Sequence, residues 1–351
     1  MSIIKSSSAK RGRLSGLAKT KKVTLSDVAK LADVSTMTVS KVIRQTGSIS
    51  APTRNRVHEA IAELGYLPNL IAGSLSSQTN LMVAVIIPSL GNNVFGEVLG
   101  GINTVLTGAG MHTFIGASDF HTDIEEELIR TMLPWQPSGM ILTGGIAHST
   151  STDKLLAAKP CPIVQIWDND VPEFDFNVGF SHIEAGRMMA RHFFEKGFRK
   201  IGYVGSQHTK DVCAARRYEG FCSQLQEHGL TVTAEIVEDG DREPSFGLQG
   251  TQDLLDRAGV LDSIYYLNDS LAIGGLTHLH RAGISVPKQI AVAGFNGSSR
   301  GKLISTELTT IDTPRWKIGD TAARCLLDCI EGKNVSQKID IDVELVLGNT
   351  T

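Results

Sequence analysis

Three sets of residues in this chain have types and spacings that could do chemistry. Between Thr36 and Lys41, the side chains of Thr36, Met37, Ser40 and Lys41 lie off the apolar stripe of a short helical segment. Lys41 suits a phosphate or a guanine, Met37 a thymine methyl, and Thr36 and Ser40 a base edge or a phosphate. The same four would serve equally well as a solvated surface. A second set recurs just after short apolar runs, at Pro88-Ser89, Trp167-Asp168, Asn268-Asp269 and Phe295-Asn296, with Arg216-Arg217 opening the helical segment after Ile201 to Val204. Each alone could be structural, but together they are what a ligand pocket at strand ends requires. The third set, ten histidines and five cysteines, forms no constellation. His278 and His280 are two apart and point to different helix faces. Cys325 and Cys329 are one turn apart, with no second pair nearby to complete a zinc site. Gly144-Gly145 and the stretch from Gly294 to Gly301 give neither a dinucleotide fingerprint nor a phosphate loop. No catalytic residue, metal or cofactor is therefore expected, and no Ser/His/Asp triad is argued.

The elements that must carry the first set are legible as three short helices between Val23 and Leu64. Thr24 can cap the first, with Asp27 three residues on and Val28, Ala29 and Leu31 facing inward. After a break of only three residues, Ser35 caps a second helix through about Arg44, with Val39, Val42 and Ile43 inside. Ser50 caps the third, Pro52 lies in its first turn, Val57, Ala60, Ile61 and Leu64 are inside, and Gly65 stops it. Two helices joined by so tight a turn and closed by a third make a helix-turn-helix unit, whose second helix lies in the major groove of duplex DNA. Residues 68–80 form a short linker, bracketed by Pro68 and a polar run, that orders only when something pins it.

Charge agrees with that division. Residues 1–80 hold 12 Lys and Arg against 4 Asp and Glu, a balance of +8, while the remainder holds 22 against 33, a balance of -11. A basic head is joined to an acidic body, and a basic patch is the electrostatic footprint of nucleic-acid binding. With 351 residues, 41% hydrophobic and 6% aromatic, the composition excludes wholesale disorder and a disulfide-stapled mini-scaffold. Residues 1–22 are basic and Ser-rich and are expected to be a disordered arm. They lack the apolar stretch of an export signal, and no run of about 18 apolar residues occurs anywhere, so a cytoplasmic, nucleoid-associated protein with no membrane partner is expected. An odd number of cysteines there points to reduced thiols.

The body alternates apolar runs (Leu81 to Ile87, Gly139 to Thr143, Ile163 to Trp167, Ile201 to Val204, Ser263 to Leu267, Ile290 to Gly294) with periodic segments such as Glu184 to Lys196, Ala214 to His228 and Ser270 to Ala282. Continuous apolar strands between helices imply an α/β class with parallel sheets covered on both faces, and there is room for two lobes.

The run from Val23 to Val42 (VTLSDVAKLADVSTMTVSKV), followed by Leu64 to Asn69 (LGYLPN), resembles the DNA-binding headpiece of the lactose/galactose repressor (LacI/GalR) family, and the likeness continues to about Gly348. It implies an N-terminal helix-turn-helix domain at 23–67, a hinge helix and linker at 68–80, and a periplasmic-binding-protein-like core at 81–348. Within that core the resemblance gives a first lobe of about 81–181 with 312–334 and a second of about 182–311 with 335–348, crossing near Phe180, Ile311 and Lys333. The DNA-contacting set it implies is Thr24, Ser35, Thr36, Met37, Thr38, Ser40, Lys41 and Arg44 on the head, with Asn69, Ala72 and Leu75 in the linker. Leu75 takes the place of the leucine that wedges into the minor groove. Gly73 stands where a longer polar or basic residue is usual.

For the effector, the resemblance assigns Arg217 (in AARRYEGF, Ala214 to Phe221) as the binding arginine and Phe180 (in VGFSH, Val178 to His182) as an aromatic platform. Asp168 and Asn268 become polar pocket positions, and Ser89, Asn93 and Phe95 line the first-lobe side. Asn296 stands where Asp is usual, and an amide can donate to a sugar acid that a carboxylate would repel. The phrases IPSLGNNVFGEVLGGI from Ile87, MLPW from Met132, GMILT from Gly139 and AGFN from Ala293 resemble the gluconate-responsive subgroup. The expected function is therefore a homodimeric repressor of sugar-acid catabolism genes. It would bind double-stranded operator DNA and respond to gluconate or a related aldonate or ketoaldonate as its small-molecule effector. Alternatives are a neutral hexose, pentose or nucleoside as effector, and more distantly a solute-binding transport protein of the same two lobes.

Overall fold

The computed structural model describes residues 23–44, 46–66, 81–91, 93–146, 148–171, 174, 176–206, 209–298 and 307–351. The chain divides into two compact units, Met1–Gln78 and Thr79–Thr351. The arm at 1–22 and the hinge and linker expected at 68–80 lie outside the described residues.

In the first unit, α1 (Leu25–Leu31), α2 (Thr36–Ile43) and α3 (Ala51–Leu64) close around Val28, Ala29, Ala32, Val39, Val42, Val57 and Ala60. Thr24 caps α1 in a capping box: its amide donates to the Asp27 carboxylate at 2.8 Å, and its hydroxyl accepts from the Asp27 amide. Ser35 caps α2, accepting from the Thr38 amide at 3.1 Å. Gly65 ends α3 in the left-handed conformation at φ 60, where a glycine carries no Cβ penalty. Two expectations are corrected. Ser50 occupies the N-cap position of α3, but its hydroxyl pairs with the Thr53 hydroxyl at 2.8 Å instead of capping an amide. Leu31 is 45% exposed, because α1 ends there and the turn residues Ala32 and Val34 enter the core in its place.

The second unit contains two six-stranded sheets among its described residues. The first, in the order β11-β5-β4-β3-β1-β2, is parallel throughout. Its strands are β1 (Met82–Ile87), β2 (His112–Ala117), β3 (Gly139–Thr143), β4 (Ile163–Asp168), β5 (Phe176–Phe180) and β11 (Lys338–Asp340). The second runs β12-β10-β9-β8-β6-β7 and is parallel except for its edge strand β12. It comprises β6 (Ile201–Ser206), β7 (Val232–Glu238), β8 (Ser263–Tyr266), β9 (Ala291–Asn296), β10 (Thr309–Asp312) and β12 (Glu344–Val346). The helices are α4 (Asn93–Gly108), α5 (Thr122–Met132), α6 (Thr150–Ala157), α7 (His182–Glu195), α8 (Val212–Glu227), α9 (Pro244–Ala258), α10 (Asp269–Arg281) and α11 (Arg315–Ile330). Strands β1, β3, β4, β6 and β8 are buried along almost their whole length, as strands covered on both faces must be.

The chain passes from the first sheet to the second after Phe180 and leaves the second after Asp312. The third crossing is corrected: β11 pairs with β5 in the first sheet, so the return falls between Asp340 and Glu344, not near Lys333. Backbone pairing to β5 takes the chain to the far edge of the first sheet before it leaves. The core also extends past Gly348, since the Thr350 carbonyl accepts from Val292 at 2.8 Å and its buried hydroxyl accepts from the Thr309 amide at 2.8 Å.

Candidate nucleic-acid interface and effector cleft

In the head, the α2 positions 36, 37, 40, 41 and 44 form one stripe, because residues three and four apart are neighbours on a helix. Thr36, Lys41 and Arg44 are exposed and Met37 is 66% exposed, while Val39 and Val42 face the core. The expected contacts sort by what already holds them. Thr24, Ser35 and Thr38 are committed to helix caps: the Ser35 and Thr38 hydroxyls lie 2.9 Å apart. Arg44 donates to the Ser40 hydroxyl at 2.5 Å and to its carbonyl at 3.3 Å. Thr36, Met37 and Lys41 present their side chains outward. Asn69, Ala72 and Leu75 lie outside the described residues.

In the second unit, the carboxyl ends of the strands of the two sheets line a cleft with a narrow inner chamber of about 40 Å³ and an outer one of about 320 Å³. The inner chamber has room for a few water molecules. The lobes meet directly across it: the Val212 amide donates to the Gly145 carbonyl at 2.9 Å, Ile146 and Asp211 form an antiparallel bridge, and the Cys213 thiol lies 3.6 Å from the Gly144 carbonyl.

Of the expected effector residues, Phe95, Arg217, Asn268 and Asn296 line the inner chamber, and Ser89 lines the outer one with Asn268 and Asn296. Ser89 Oγ accepts from the Gly91 amide at 3.0 Å. Asn93 begins α4, and its side chain lies outside the described residues. Phe180 and Asp168 are fully buried behind the lining. Phe180 packs edge-on against Trp167 at 5.2 Å and tilted against His182 at 4.4 Å, and the aromatic side chains in the inner lining are instead Phe95, Phe120, Trp167 and Phe295. Asp168 is ion-paired with Arg216 across the two lobes. Burial pushes its carboxyl above the usual range, partly offset by the Asp170 amide and by Arg216.

Arg217 is held on three sides. Its Nη1 lies 3.0 Å from His182 Nδ1, its Nη2 donates to the Leu267 carbonyl at 3.0 Å, and its guanidinium stacks 3.7 Å from the Phe295 ring centroid. Asn268 Oδ1 caps α10 by accepting from the Leu271 amide at 2.9 Å. Asn296 sits in the left-handed region at φ 104, and its carbonyl is held by Thr313 and Arg315. Its Oδ1 is buried without a hydrogen-bond partner among the described residues.

Several cleft residues escape sequence reasoning. Arg242 follows β7 and lines both chambers; its Nη1 donates to Asp211 at 2.7 Å and its guanidinium covers Phe120 at 4.3 Å. Burial pushes the Asp211 carboxyl up, but Arg242 and Arg217 outweigh it and hold it below the ordinary range. The available signal was the position of Arg242 just beyond a strand end, but in β7 only Ile236 is buried among exposed and half-buried residues, so it has no continuous apolar run to mark it. Among the described residues no group of three or more His, Cys, Asp or Glu is placed to hold a metal ion. No helix there is long and apolar enough to cross a membrane.

Residues 24–69 match the model for bacterial regulatory proteins of the lacI family, and residues 190–351 match the periplasmic binding protein-like domain. The transcriptional regulator GntR of Escherichia coli K12 is 33% identical over 321 residues, covering 92% of this chain and 96% of the relative. Among solved structures, a LacI-family transcriptional regulator from Silicibacter pomeroyi superposes with a TM-score of 0.89 at 40% identity, covering 93% of this chain and 99% of the other. The lac repressor dimer bound to operator and the anti-inducer ONPF superposes at 0.81 with 26% identity, covering 94% and 99%. A helix-turn-helix head and a two-lobed α/β body are thus matched along nearly the whole length, and the chain belongs to the lacI family of bacterial transcriptional regulators.

Proposed function

We propose that this protein is a homodimeric repressor of sugar-acid catabolism genes whose operator affinity is set by gluconate, or a related aldonate or ketoaldonate, bound in the cleft. The observation that carries the effector reading is the charge balance of the inner chamber: among the described residues, the guanidiniums of Arg217 and Arg242 face one carboxylate, that of Asp211. One positive charge is left for a ligand to match, and a buried charge is stable only when paired. The similarity to GntR along nearly the full length supports the same reading.

The domain assignment is an arm at 1–22, a head at 23–67, a hinge and linker at 68–80, and a core beyond. Two heads read a near-palindromic operator through α2, with Thr36, Met37, Ser40 and Lys41 toward the bases and phosphates and the hinge between half-sites. Effector and operator are coupled because each favours one lobe arrangement, and the effector shifts DNA binding only by its differential affinity for the two states. Footprinting on genomic DNA with and without a panel of sugar acids and neutral sugars tests the whole reading. Protection released by aldonates is the expected result. Release by neutral hexoses alone would overturn the sugar-acid effector, and no protected site would overturn the regulator.

A further inference from the structure

The two arginines of the inner chamber are not equivalent, and their hydrogen bonds show which one has capacity left for a ligand. Arg217 spends Nη1 on His182, Nη2 on the Leu267 carbonyl and its face on Phe295. Arg242 spends only Nη1, on Asp211, and its face, on Phe120. Its Nε and Nη2 are buried and have no hydrogen-bond partner among the described residues. Those two nitrogens share one edge of the guanidinium plane, the edge that grips a carboxylate through two parallel N–H···O bonds. A buried donor pair with nothing to donate to costs free energy until an acceptor arrives.

The outer chamber has the opposite sign. Among the described residues Glu97, Asp119, Asp241, Glu243 and the buried Asp269 line it, against Arg315 and the shared Arg242. Carboxylates accept hydrogen bonds from hydroxyls and repel a second carboxylate or a phosphate.

Resting on the effector reading above, we infer that Arg242, not Arg217, is the carboxylate-gripping residue. It orients a monoanionic polyhydroxy acid with its carboxylate inward and its hydroxyl tail toward the acidic outer chamber. Arg217 is a positioning residue that fixes the floor through His182 and Phe295. The site therefore selects aldonates with a single acidic end and rejects chains of the same length that carry a carboxylate at both ends.

Calorimetric titration of the full-length protein with gluconate, glucarate and sorbitol tests this. The wild type should bind gluconate, with glucarate at least tenfold weaker. Arg242→Gln should lose gluconate affinity by about a hundredfold, and Arg242→Lys, which keeps the charge but not the paired edge, by about tenfold; a melting curve for each variant reports folding. Asp241→Asn combined with Glu243→Gln should narrow the gap between glucarate and gluconate. If the wild type binds gluconate and a folded Arg242→Gln binds it equally, the assignment of Arg242 is wrong while the effector reading stands. If the wild type binds glucarate as tightly as gluconate, the inferred orientation is wrong. If it binds no sugar acid, the effector reading falls and takes this inference with it.

Discussion

Arg217 and His182 fix each other's chemical state: Arg217 Nη1 lies 3.0 Å from His182 Nδ1, and both side chains are buried. A guanidinium only donates, so Nδ1 accepts and the imidazole is neutral with its proton on Nε2. Burial and the charge of Arg217 hold His182 well below the ordinary histidine range. Unfolding lets the ring take up a proton below about pH 6.5, which the native state refuses, so this residue destabilises the fold as pH falls through that value. His182→Gln keeps an acceptor for Arg217 and removes the titration. Denaturant melts at pH 7 and pH 5.5 should show the wild type losing more stability than the variant, by at most about 1.4 kcal/mol per pH unit. Equal losses would mean that His182 is not held neutral.

Asp168 and Arg216 pose a different electrostatic problem. The Asp168 side chain is 0% exposed and its partner comes from the other lobe. Arg216→Met leaves an uncompensated buried carboxylate, a change that costs about 3–5 kcal/mol. Adding Asp168→Asn to that variant should recover most of the loss, because removing both charges also removes the desolvation cost. Chemical denaturation of the single and double variants measures this, and a double variant as unstable as the single would show that packing dominates, not charge.

How much of this was readable beforehand depended on burial. Strands such as Gly139–Thr143, and Ile163–Asp168, which was read one residue short at Trp167, are buried along their length, and burial on both faces gives an unbroken apolar run. β2 and β7 lie at sheet edges with several exposed positions. That mixed pattern hid them, and with β7 it hid Arg242. The head was read almost to the residue because capping is local: Thr24 and Ser35 act within three positions of themselves. Which of Arg216 and Arg217 would pair across the lobes, and that Phe180 would lie behind Trp167, depended on contacts distant in sequence that no spacing records.

The head yields two separable tests. Thr24→Ala removes the cap of a seven-residue helix and should cost about 1 kcal/mol of head stability, read by thermal unfolding. Lys41→Ala removes an exposed charge from α2 without touching the core. If Lys41 meets a phosphate, operator affinity should fall and the slope of log affinity against log salt should shrink by about one, with effector binding unchanged. An unaltered salt slope would remove Lys41 from the phosphate contacts.

Gly145 governs how closely the lobes approach. It lies at φ +73, and a Cβ there would stand 2.1 Å from Cys213 Sγ, closer than any unbonded pair allows. Gly145→Ala must therefore move the strand end away from α8, breaking the 2.9 Å bond from the Val212 amide to the Gly145 carbonyl. The expected result is a lower melting temperature and a changed effector affinity, since the inner chamber is walled by both segments. Adding Cys213→Ala removes the steric conflict but not the backbone strain at positive φ, so the double variant should recover effector binding more fully than stability. If Gly145→Ala alone matches the wild type in both measurements, the two segments do not set the closure of the cleft.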